Sequence, residues 1–401
     1  MKVTSRLSLL QCFLFLCFRE TNGFQNQLPV PPSSSTRLFS TANSKAPPRT
    51  GFAQAILDLA LSSPLWKYLL VPQARATMVK TAEANQIPWT KAKAWLESNY
   101  KKTSIDDDNY SVPEYYKRAF HAYEEGNLSW DSALEVEIAS CSVGARNFPQ
   151  YGSQGEDAFR GAFESALKQA GAVVPSDAKI LDMGCGTGMS TRRLARNFPQ
   201  AATIQGVDLS PYFIAVGKQL LKLEPKGFDE GGPWVSTIKN DDRIEYFFGD
   251  AGSTQLESES FDVVNLQFVL HELPPEAAIG IVDEALRLLK PDGQLWICEM
   301  DFESPAYAAQ RANALLFSLI RSTEPYLDDY AESISDLFGY IKSKSDSVVV
   351  VPATGRHYAL VATKGSKSNC EGVLTDLRFG DDGTYRVEDT HLKTWESKQI
   401  V

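Results

Sequence analysis

The sequence predicts an α/β fold with a mainly parallel sheet. Between residues 178 and 364, short apolar stretches such as AKILDMG and FDVVNLQFV alternate with amphipathic stretches such as PPEAAIGIVDEALRLLK. Strands that alternate with helices of this length form βαβ units, whose strands run parallel. A chain of 401 residues with 43% hydrophobic and 22% charged residues is globular, with room for one large domain or two ordinary ones.

The elements follow in order along the chain. Residues 51–172 predict helices that form an N-terminal lid, including PEYYKRAFHAYEEGNLSW, DSALEVEIASCSV and the strongly amphipathic EDAFRGAFESALKQAGA. Residues 173–365 predict the sheet domain: the strands AKILDMG, TIQGVDLS, IEYFFGDA, FDVVNLQFV and GQLWICEM, a loop-like insertion EPKGFDEGGPWVSTIKNDD, a helical region over 306–340, and a closing hairpin of SDSVVVVPATG and RHYALVATK. Residues 366–401 form a tail with weak signals.

Residues 1–50 have the composition of a disordered targeting segment. Lys2 and Arg6 precede an apolar run over residues 7–18, which is the size of a signal-peptide core and short for a membrane span. A stretch rich in Ser, Thr and Pro follows, with no acid between Glu20 and Asp58. Together they resemble the bipartite presequences of algae with complex red plastids. We therefore expect a plastid protein without a transmembrane span in the mature chain; secretion is the alternative.

Charge and cysteine usage argue against two classes of function. A net charge of -10 without a Lys/Arg-rich run is not the pattern of a nucleic-acid binder. Cys141, Cys185, Cys298 and Cys370 form no C-x-x-C pair, and the chain has only four His. We therefore expect no metal site.

The first predicted strand ends in the glycine turn LDMGCGTG. Its Gly184, Gly186 and Gly188 give the spacing G-x-G-x-G, which differs from the dinucleotide fingerprint G-x-G-x-x-G, and no Walker lysine follows. The carboxylate of Asp182 just before the turn would repel a pyrophosphate. It suits a ligand that carries an amino group and a positively charged sulfur.

Two further carboxylates follow the next two strands. Asp208 in GVDLS can accept both hydroxyls of a ribose, which fits NAD and S-adenosylmethionine alike. Asp250 in FFGDA can accept the exocyclic amine of an adenine. Each acid alone is more often a helix cap. Together with Asp182, they predict a site for S-adenosylmethionine.

At these motifs the chain resembles the class I, seven-stranded S-adenosylmethionine-dependent methyltransferases. ILDMGCGTG, GVDLS, GDA, FDVVNLQFVLHELP and LKPDGQLWICEM carry the resemblance over residues 178–364. It implies a Rossmann-like sheet of order 3-2-1-4-5-7-6 with an antiparallel last strand. The cofactor contacts that it implies are Asp182, Gly184, Cys185, Gly186 and Gly188 for the methionyl part, Asp208 and Leu209 for the ribose, Asp250 and Ala251 for the adenine, and Gln267 beside the sulfonium.

A narrower resemblance concerns the acceptor. FDVVNLQFVL and RLLKPDGQLWICEMD are similar to motifs of the ubiquinone and menaquinone methyltransferases, which prefer Gly in place of Asp292 and Ser in place of Asp301. The resemblance implies a small acceptor that is lipophilic, aromatic or quinone-like.

Candidate groups for the transfer come from the strand ends and the lid. His271 after the fourth strand is the candidate general base, and Glu272 beside it a second candidate, although both could simply order the loop. Glu299, at the end of the fifth strand, could contact the substrate or anchor a loop. Tyr116 and Tyr123 of the lid are candidate substrate contacts, or else packing aromatics. Arg146 and Tyr151 are candidates to bind the carboxylate of the cofactor. Arg356 and His357 are candidates on the substrate side.

Three rival functions stay open beside methylation of a small molecule. They are methylation of protein or RNA, cofactor binding without catalysis, and NAD-dependent oxidation, which the glycine spacing and Asp182 argue against. The sequence predicts no oligomeric state.

Overall fold

The computed structural model describes residues 71–99, 110–121, 123–223, 241–312, 323–365 and 372–386, with residues 105, 317 and 320. The helices are α1 (Val71–Ala84), α2 (Trp89–Asn99), α3 (Trp130–Asn147), α4 (Gly155–Gln169), α5 (Met189–Asn197), α6 (Pro211–Leu220), α7 (Pro275–Leu288), α8 (Pro305–Ala312) and α9 (Leu327–Lys344). The strands are β1 (Lys179–Met183), β2 (Thr203–Asp208), β3 (Ile244–Phe248), β4 (Phe261–Gln267), β5 (Leu289–Met300), β6 (Ser345–Pro352), β7 (His357–Lys364) and β8 (Val373–Asp376). The predicted targeting segment and most of the predicted insertion lie outside the described residues.

The eight strands form one sheet of order β3-β2-β1-β4-β5-β7-β6-β8. Strands β1 to β5 pair in parallel, and β7 runs antiparallel to both β5 and β6. The predicted Rossmann-like α/β fold, its strand order and its antiparallel seventh strand are therefore confirmed. Because β1 to β5 are parallel, their carboxyl ends meet at one edge of the sheet, where ligands bind in open α/β folds.

The two faces of the sheet are covered by different helices. Helices α7 and α9 bury one face, with Ile281 and Ile341 among the buried residues. Helices α4, α5 and α6 bury the other, with Phe163 and Leu194 at the contact. Helices α1 to α3 pack on α6 as a third layer, where Phe213 lies in the contact. Apolar burial on both faces explains why the strands read as continuous apolar runs.

The eighth strand lies in the predicted tail and extends the sheet beyond the seven strands expected. Strand β8 pairs with β6 in parallel through only four residues, three of which are exposed. Because no side of this strand is buried, its sequence lacks the alternation of apolar and polar residues by which a strand is predicted. The buried Arg378 just after β8 pairs with Asp301 at 2.9 Å, and the Tyr385 hydroxyl donates to the same carboxylate at 2.7 Å. Asp301 is one of the two positions at which the chain departs from the quinone-methyltransferase motif. Its carboxylate is bound by Arg378 and Tyr385 of the predicted tail.

The helix predicted over residues 113–130 is wrong. Only a short 3-10 turn forms, over Glu114–Lys117, and Gly126 has a φ of 55°. The backbone N–H of His121 donates to Thr323 O at 3.0 Å, and the Asn127 carbonyl accepts from the Ser210 hydroxyl at 2.6 Å. Local turns and tertiary hydrogen bonds to the loops at the strand ends replace the hydrogen bonds of a helix. We call this segment, which lies across the carboxyl edge, the strap.

Candidate cofactor and acceptor site

The glycine turn joins β1 to α5 in a conformation that favours glycine. Gly184, Gly186 and Gly188 have φ angles of 70°, 57° and 88°. A Cβ on Gly188 would overlap the hydroxyl of Tyr246 from β3, and one on Gly184 would overlap the side chain of Val269. The turn therefore packs closely against Tyr246 and Val269. Because glycines carry no side chain, a ligand can approach the backbone N–H groups of the turn closely.

Asp182 lies beneath the turn and is only 1% exposed. Its Oδ2 accepts from the hydroxyls of Ser190 and Thr191, both at 2.6 Å, and its Oδ1 accepts from the Asn265 amide at 2.7 Å. Burial raises the pKa of this carboxyl, and the three donors oppose that rise. Asp182 therefore ties the first turn of α5 to β4. Its predicted contact with the donor stays a prediction, since protein groups already occupy both oxygens.

Asp208 ends β2 beside the glycine turn. Its Oδ2 accepts from the backbone N–H of Gly186 and its Oδ1 from that of Ser210, both at 2.8 Å. Burial raises the pKa of Asp208 to about 6, against the effect of these donors. The hydroxyl of Tyr116, from the strap, donates to Oδ1 at 3.3 Å. The structure therefore brings Tyr116 to the predicted ribose carboxylate, with Leu209 buried beside it.

Asp250 and Ala251 follow β3 on the far side of Asp208. The backbone N–H of Gly249 donates to the Asp208 carbonyl at 3.1 Å, and Asp250 Oδ1 accepts from the N–H of Gly252 at 2.8 Å. Ala251 is buried, and so is Cys185 in the glycine turn. The predicted adenine and ribose groups therefore lie at adjacent strand ends.

Gln267 ends β4 and contacts an arginine that the sequence analysis missed. Arg160 of α4 donates through Nη1 to Gln267 Oε1 and through Nε to Glu156 Oε1 at 2.9 Å. Its guanidinium also lies 5.7 Å from the centre of the Phe268 ring. A Glu and an Arg four residues apart usually form a solvated surface pair, so their spacing alone does not predict a position at the site.

A second missed contact joins the lid to the glycine turn. Glu137 of α3 is buried, accepts from the Thr187 hydroxyl at 2.7 Å, and pairs with the buried Arg192 at 2.5 Å. Arg192 also donates to the Thr187 carbonyl at 2.8 Å. The lid is thus attached to the turn through a buried ion pair. The sequence feature that could have indicated this contact is the pair of acids Glu135 and Glu137 in the mostly apolar part of α3.

His271 and Glu299 form a buried pair at the ends of β4 and β5. The Nδ1 atom of His271 lies 2.9 and 3.0 Å from the two oxygens of Glu299. Glu299 also accepts from the backbone N–H groups of Leu270 at 3.0 Å and Met300 at 2.8 Å. Burial lowers the pKa of His271, but the Glu299 charge more than offsets this and raises the pKa to about 10. The charged imidazolium is therefore the favoured form at neutral pH.

Three of the predicted groups take other positions or roles. Glu299 is fully buried and holds His271, so it does not face a substrate directly. Tyr123 is not brought to the site: its hydroxyl donates to Glu135 at 2.5 Å and its ring lies 4.9 Å from the Arg75 guanidinium. Glu272 accepts from the Asn127 amide of the strap at 3.3 Å, and burial raises its pKa to about 8.

Aromatic rings surround the acceptor side of the strand ends. The centre of the Phe268 ring lies 5.6 Å from that of Phe159, 5.5 Å from that of His357 and 6.3 Å from that of His271. Tyr307 lies 6.1 Å from His357. Burial lowers the pKa of His357 to about 3, so this imidazole is a neutral part of the aromatic wall. An apolar, aromatic wall beside a buried ionised pair is the usual composition of a small-molecule site.

Among the described helices, none is long and apolar enough to cross a bilayer. The described part of the chain also holds no group of three or more His, Cys, Asp or Glu side chains placed to bind a metal ion.

Comparison with known proteins matches the part of the chain that carries the glycine turn and the first four strand ends. Residues 181–297 match the family profile of the methyltransferase domain. The chain is 30% identical to the demethylmenaquinone methyltransferase of Clavibacter sepedonicus over 41% of this chain and 56% of that protein. It is 30% identical to the ubiquinone biosynthesis O-methyltransferase of Actinobacillus pleuropneumoniae over 32% of this chain and 48% of that protein. The chain thus spans about half the length of these relatives.

A solved structure gives a further match. A putative S-adenosylmethionine-dependent methyltransferase from Methanococcus maripaludis aligns over 60% of this chain and 95% of its own, with 15% identity and a TM-score of 0.39.

Proposed function

We propose that this chain, whose residues 181–297 form a class I S-adenosylmethionine-dependent methyltransferase domain, transfers a methyl group in line to a small, lipophilic acceptor. The observation that carries the proposal is the set of acids and glycines at three adjacent strand ends. Asp208 is joined to the glycine turn by the 2.8 Å bond from Gly186, with Asp182 and Asp250 on either side.

The residues present fit this cofactor. Gly188 leaves no space for a side chain on the Tyr246 side, Asp208 can accept ribose hydroxyls, and Asp250 can accept an adenine amine. When bound, S-adenosylmethionine supplies an activated methyl group. The protein then has to orient the acceptor and exclude water, and the strap across the strand ends, tied down by Tyr116 and Asn127, is placed to do so.

The aromatic wall supports a flat, apolar acceptor of the quinone-like class. Phe159, Phe268 and Tyr307 line the side of β4 and β5 away from Asp208. The relatives named for demethylmenaquinone and for ubiquinone biosynthesis act in the same chemical class. Flat rings pack well on such walls, which is why the acceptor is proposed to be aromatic or quinone-like.

His271 is the group proposed to act on the acceptor. Glu299 holds Nδ1, and no described residue lies within hydrogen-bond distance of Nε2, which is therefore the nitrogen left for the acceptor. Since Glu299 raises the pKa of His271 to about 10, the imidazolium can donate to the oxygen of an acceptor that has already released its proton to solvent, and so stabilise this nucleophilic anion. This role replaces the general base of ordinary pKa expected from the sequence.

The proposal is tested with labelled methyl donor. Purified protein is incubated with it and, in parallel, with a plastid lipid extract, a protein fraction and an RNA fraction. Label that enters the lipid extract supports the proposal, whereas label only in protein or RNA contradicts the small-molecule acceptor. Calorimetry with S-adenosylhomocysteine and with NADH separates the cofactor classes; tight binding of NADH alone would overturn the assignment.

The plastid location is proposed on the sequence of residues 1–50 only. A fluorescent fusion that carries these residues should accumulate in the plastid of a complex-plastid alga. Export of the fusion from the cell would favour secretion instead.

A further inference from the structure

Three hydrogen bonds from the described residues converge on the carboxylate of Asp208. Its Oδ2 accepts from the backbone N–H of Gly186 at 2.8 Å. Its Oδ1 accepts from the backbone N–H of Ser210 at 2.8 Å and from the Tyr116 hydroxyl at 3.3 Å. An ionised carboxyl group offers about four lone-pair positions, and each hydroxyl of a ribose needs one of its own. Asp208 therefore cannot accept both ribose hydroxyls while all three protein groups donate to it.

The two backbone N–H groups are fixed by the fold. The glycine turn that carries Gly186 is bonded to the Val207 carbonyl of β2 through two neighbouring N–H groups, at 2.8 and 3.0 Å. Ser210 is the N-cap of α6, and its hydroxyl accepts from the N–H of Phe213 at 3.1 Å. Neither N–H can leave Asp208 unless the turn or the helix cap is broken.

The Tyr116 hydroxyl is the group that can leave. Its bond to Asp208 is the longest of the three, and the residue is partly exposed to solvent. Burial, and then the charge of Asp208, hold the pKa of Tyr116 well above its ordinary value of 10, so the phenol keeps its proton and donates. Rotation of this one side chain would free Asp208 while the backbone stays in place, because the adjacent Tyr115 carbonyl accepts from the Tyr326 hydroxyl at 3.3 Å.

The rest of the strap has attachments that do not depend on Tyr116. The backbone N–H of His121 donates to Thr323 O at 3.0 Å. The Asn127 carbonyl accepts from the Ser210 hydroxyl at 2.6 Å. The strap can therefore continue to cover the strand ends while a ribose hydroxyl replaces the Tyr116 hydroxyl on Asp208.

We propose that Tyr116 closes the cofactor site by occupying, on Asp208, a position that a ribose hydroxyl of S-adenosylmethionine needs. A buried carboxylate oxygen without a hydrogen-bond donor is costly, and Tyr116 supplies a donor whenever the ribose does not. Both ribose hydroxyls bind only after the Tyr116 side chain has turned away, so this hydroxyl lowers the affinity for the cofactor. The inference rests on the proposed function and adds that the strap controls access to the cofactor site.

The test removes the hydroxyl from the protein and, separately, the hydroxyls from the ligand. S-adenosylhomocysteine and an analogue without both ribose hydroxyls are titrated by calorimetry into the full-length protein and into Tyr116→Phe, which keeps the ring. We expect Tyr116→Phe to bind S-adenosylhomocysteine about three- to tenfold more tightly, the size of one competing hydrogen bond. The analogue should bind both proteins equally, because it does not need that position on Asp208.

Tyr123→Phe is the matched control. It removes another hydrogen-bonded hydroxyl of the strap, one that donates to Glu135 away from the site, and should leave both affinities unchanged. Unchanged or weaker binding of S-adenosylhomocysteine by Tyr116→Phe would overturn the proposal, and weaker binding would make Tyr116 a contact of the cofactor. An equal gain for the analogue would also overturn it, since the strap would then be loosened in general. Failure of both proteins to bind S-adenosylhomocysteine would instead contradict the proposed function.

Discussion

The carboxylate of Glu299 holds the imidazole of His271 through Nδ1, with both oxygens within 3.0 Å. Glu299 is completely buried and is itself held by backbone N–H groups from the loops after β4 and within β5. This fixes the orientation of the imidazole and favours its charged form. The pair therefore favours a proton-donating imidazolium, and not a free base, at the ends of β4 and β5.

Replacement of Glu299 by Gln should lower the pKa of His271 well below about 10, because burial is then opposed only by the charges of Glu324 and Glu272. The measurement is an NMR pH titration of the His271 ring. Glu276→Gln, at an exposed position of α7, is the control and should leave the titration unchanged. An unaltered pKa in Glu299→Gln would show that the charge of Glu299 does not govern His271.

The same pair should contribute to stability in a defined pH range. Because the pKa of His271 is raised in the folded state, the contribution is complete below about pH 6.5 and is lost as the pH rises through about 10. Thermal unfolding of wild-type protein and Glu299→Gln should therefore differ most near pH 6, where Glu299 is ionised and His271 is protonated, and converge toward pH 10. A difference that grows with pH would contradict this sign.

His271→Ala should slow methyl transfer about 100-fold, which is within the usual range for loss of a positioned proton-transfer group or oxyanion donor. Affinity for S-adenosylhomocysteine should not change, because His271 lies on the acceptor side of Gln267. The assay combines single-turnover transfer with calorimetry. Unchanged turnover would remove His271 from the mechanism.

Donor affinity should decrease as the pH falls below about 6, because the pKa of Asp208 is raised to about 6 and only the ionised carboxyl accepts both ribose hydroxyls. Asp208→Asn should bind S-adenosylhomocysteine about tenfold or more weakly, as expected for loss of charge-assisted hydrogen bonds. It should also lose the pH dependence. Calorimetry over this pH range checks both effects, and a pH dependence that persists in Asp208→Asn would assign it to another group.

Gly188→Ala should destabilise the protein by about 2–5 kcal/mol. This is the sum of the cost of a left-handed backbone at a non-glycine residue and the cost of a steric overlap. The added Cβ would overlap the Tyr246 hydroxyl. Gly171→Ala is the matched control, since Gly171 has a similar φ of 90° but no atom within 4 Å of the added Cβ. It should cost only about 1–2 kcal/mol. Equal losses in chemical unfolding would show that the overlap with Tyr246 is not decisive.

Arg378→Met should destabilise the protein by about 3–5 kcal/mol, because the buried Asp301 carboxylate would lose its cation. The double variant with Asp301→Ser should recover most of this loss. Arg196→Met, which breaks a partly exposed ion pair, should cost less than about 1 kcal/mol. Equal stability of the single and double variants would contradict the coupling of Arg378 and Asp301.

The sequence determined the sheet domain and the donor side of the site. Periodicity and turn chemistry are local properties, so the strands and the glycine turn could be read directly, and parallel strands necessarily bring Asp182, Asp208 and Asp250 to one edge. Only the tertiary structure decided the partners. Local signals carry no information on long-range contacts, such as Glu299 with His271, Glu137 with Arg192, or Arg378 with Asp301. The strap at residues 113–130 shows the same limit, because its backbone hydrogen bonds to distant loops overrode its helical pattern.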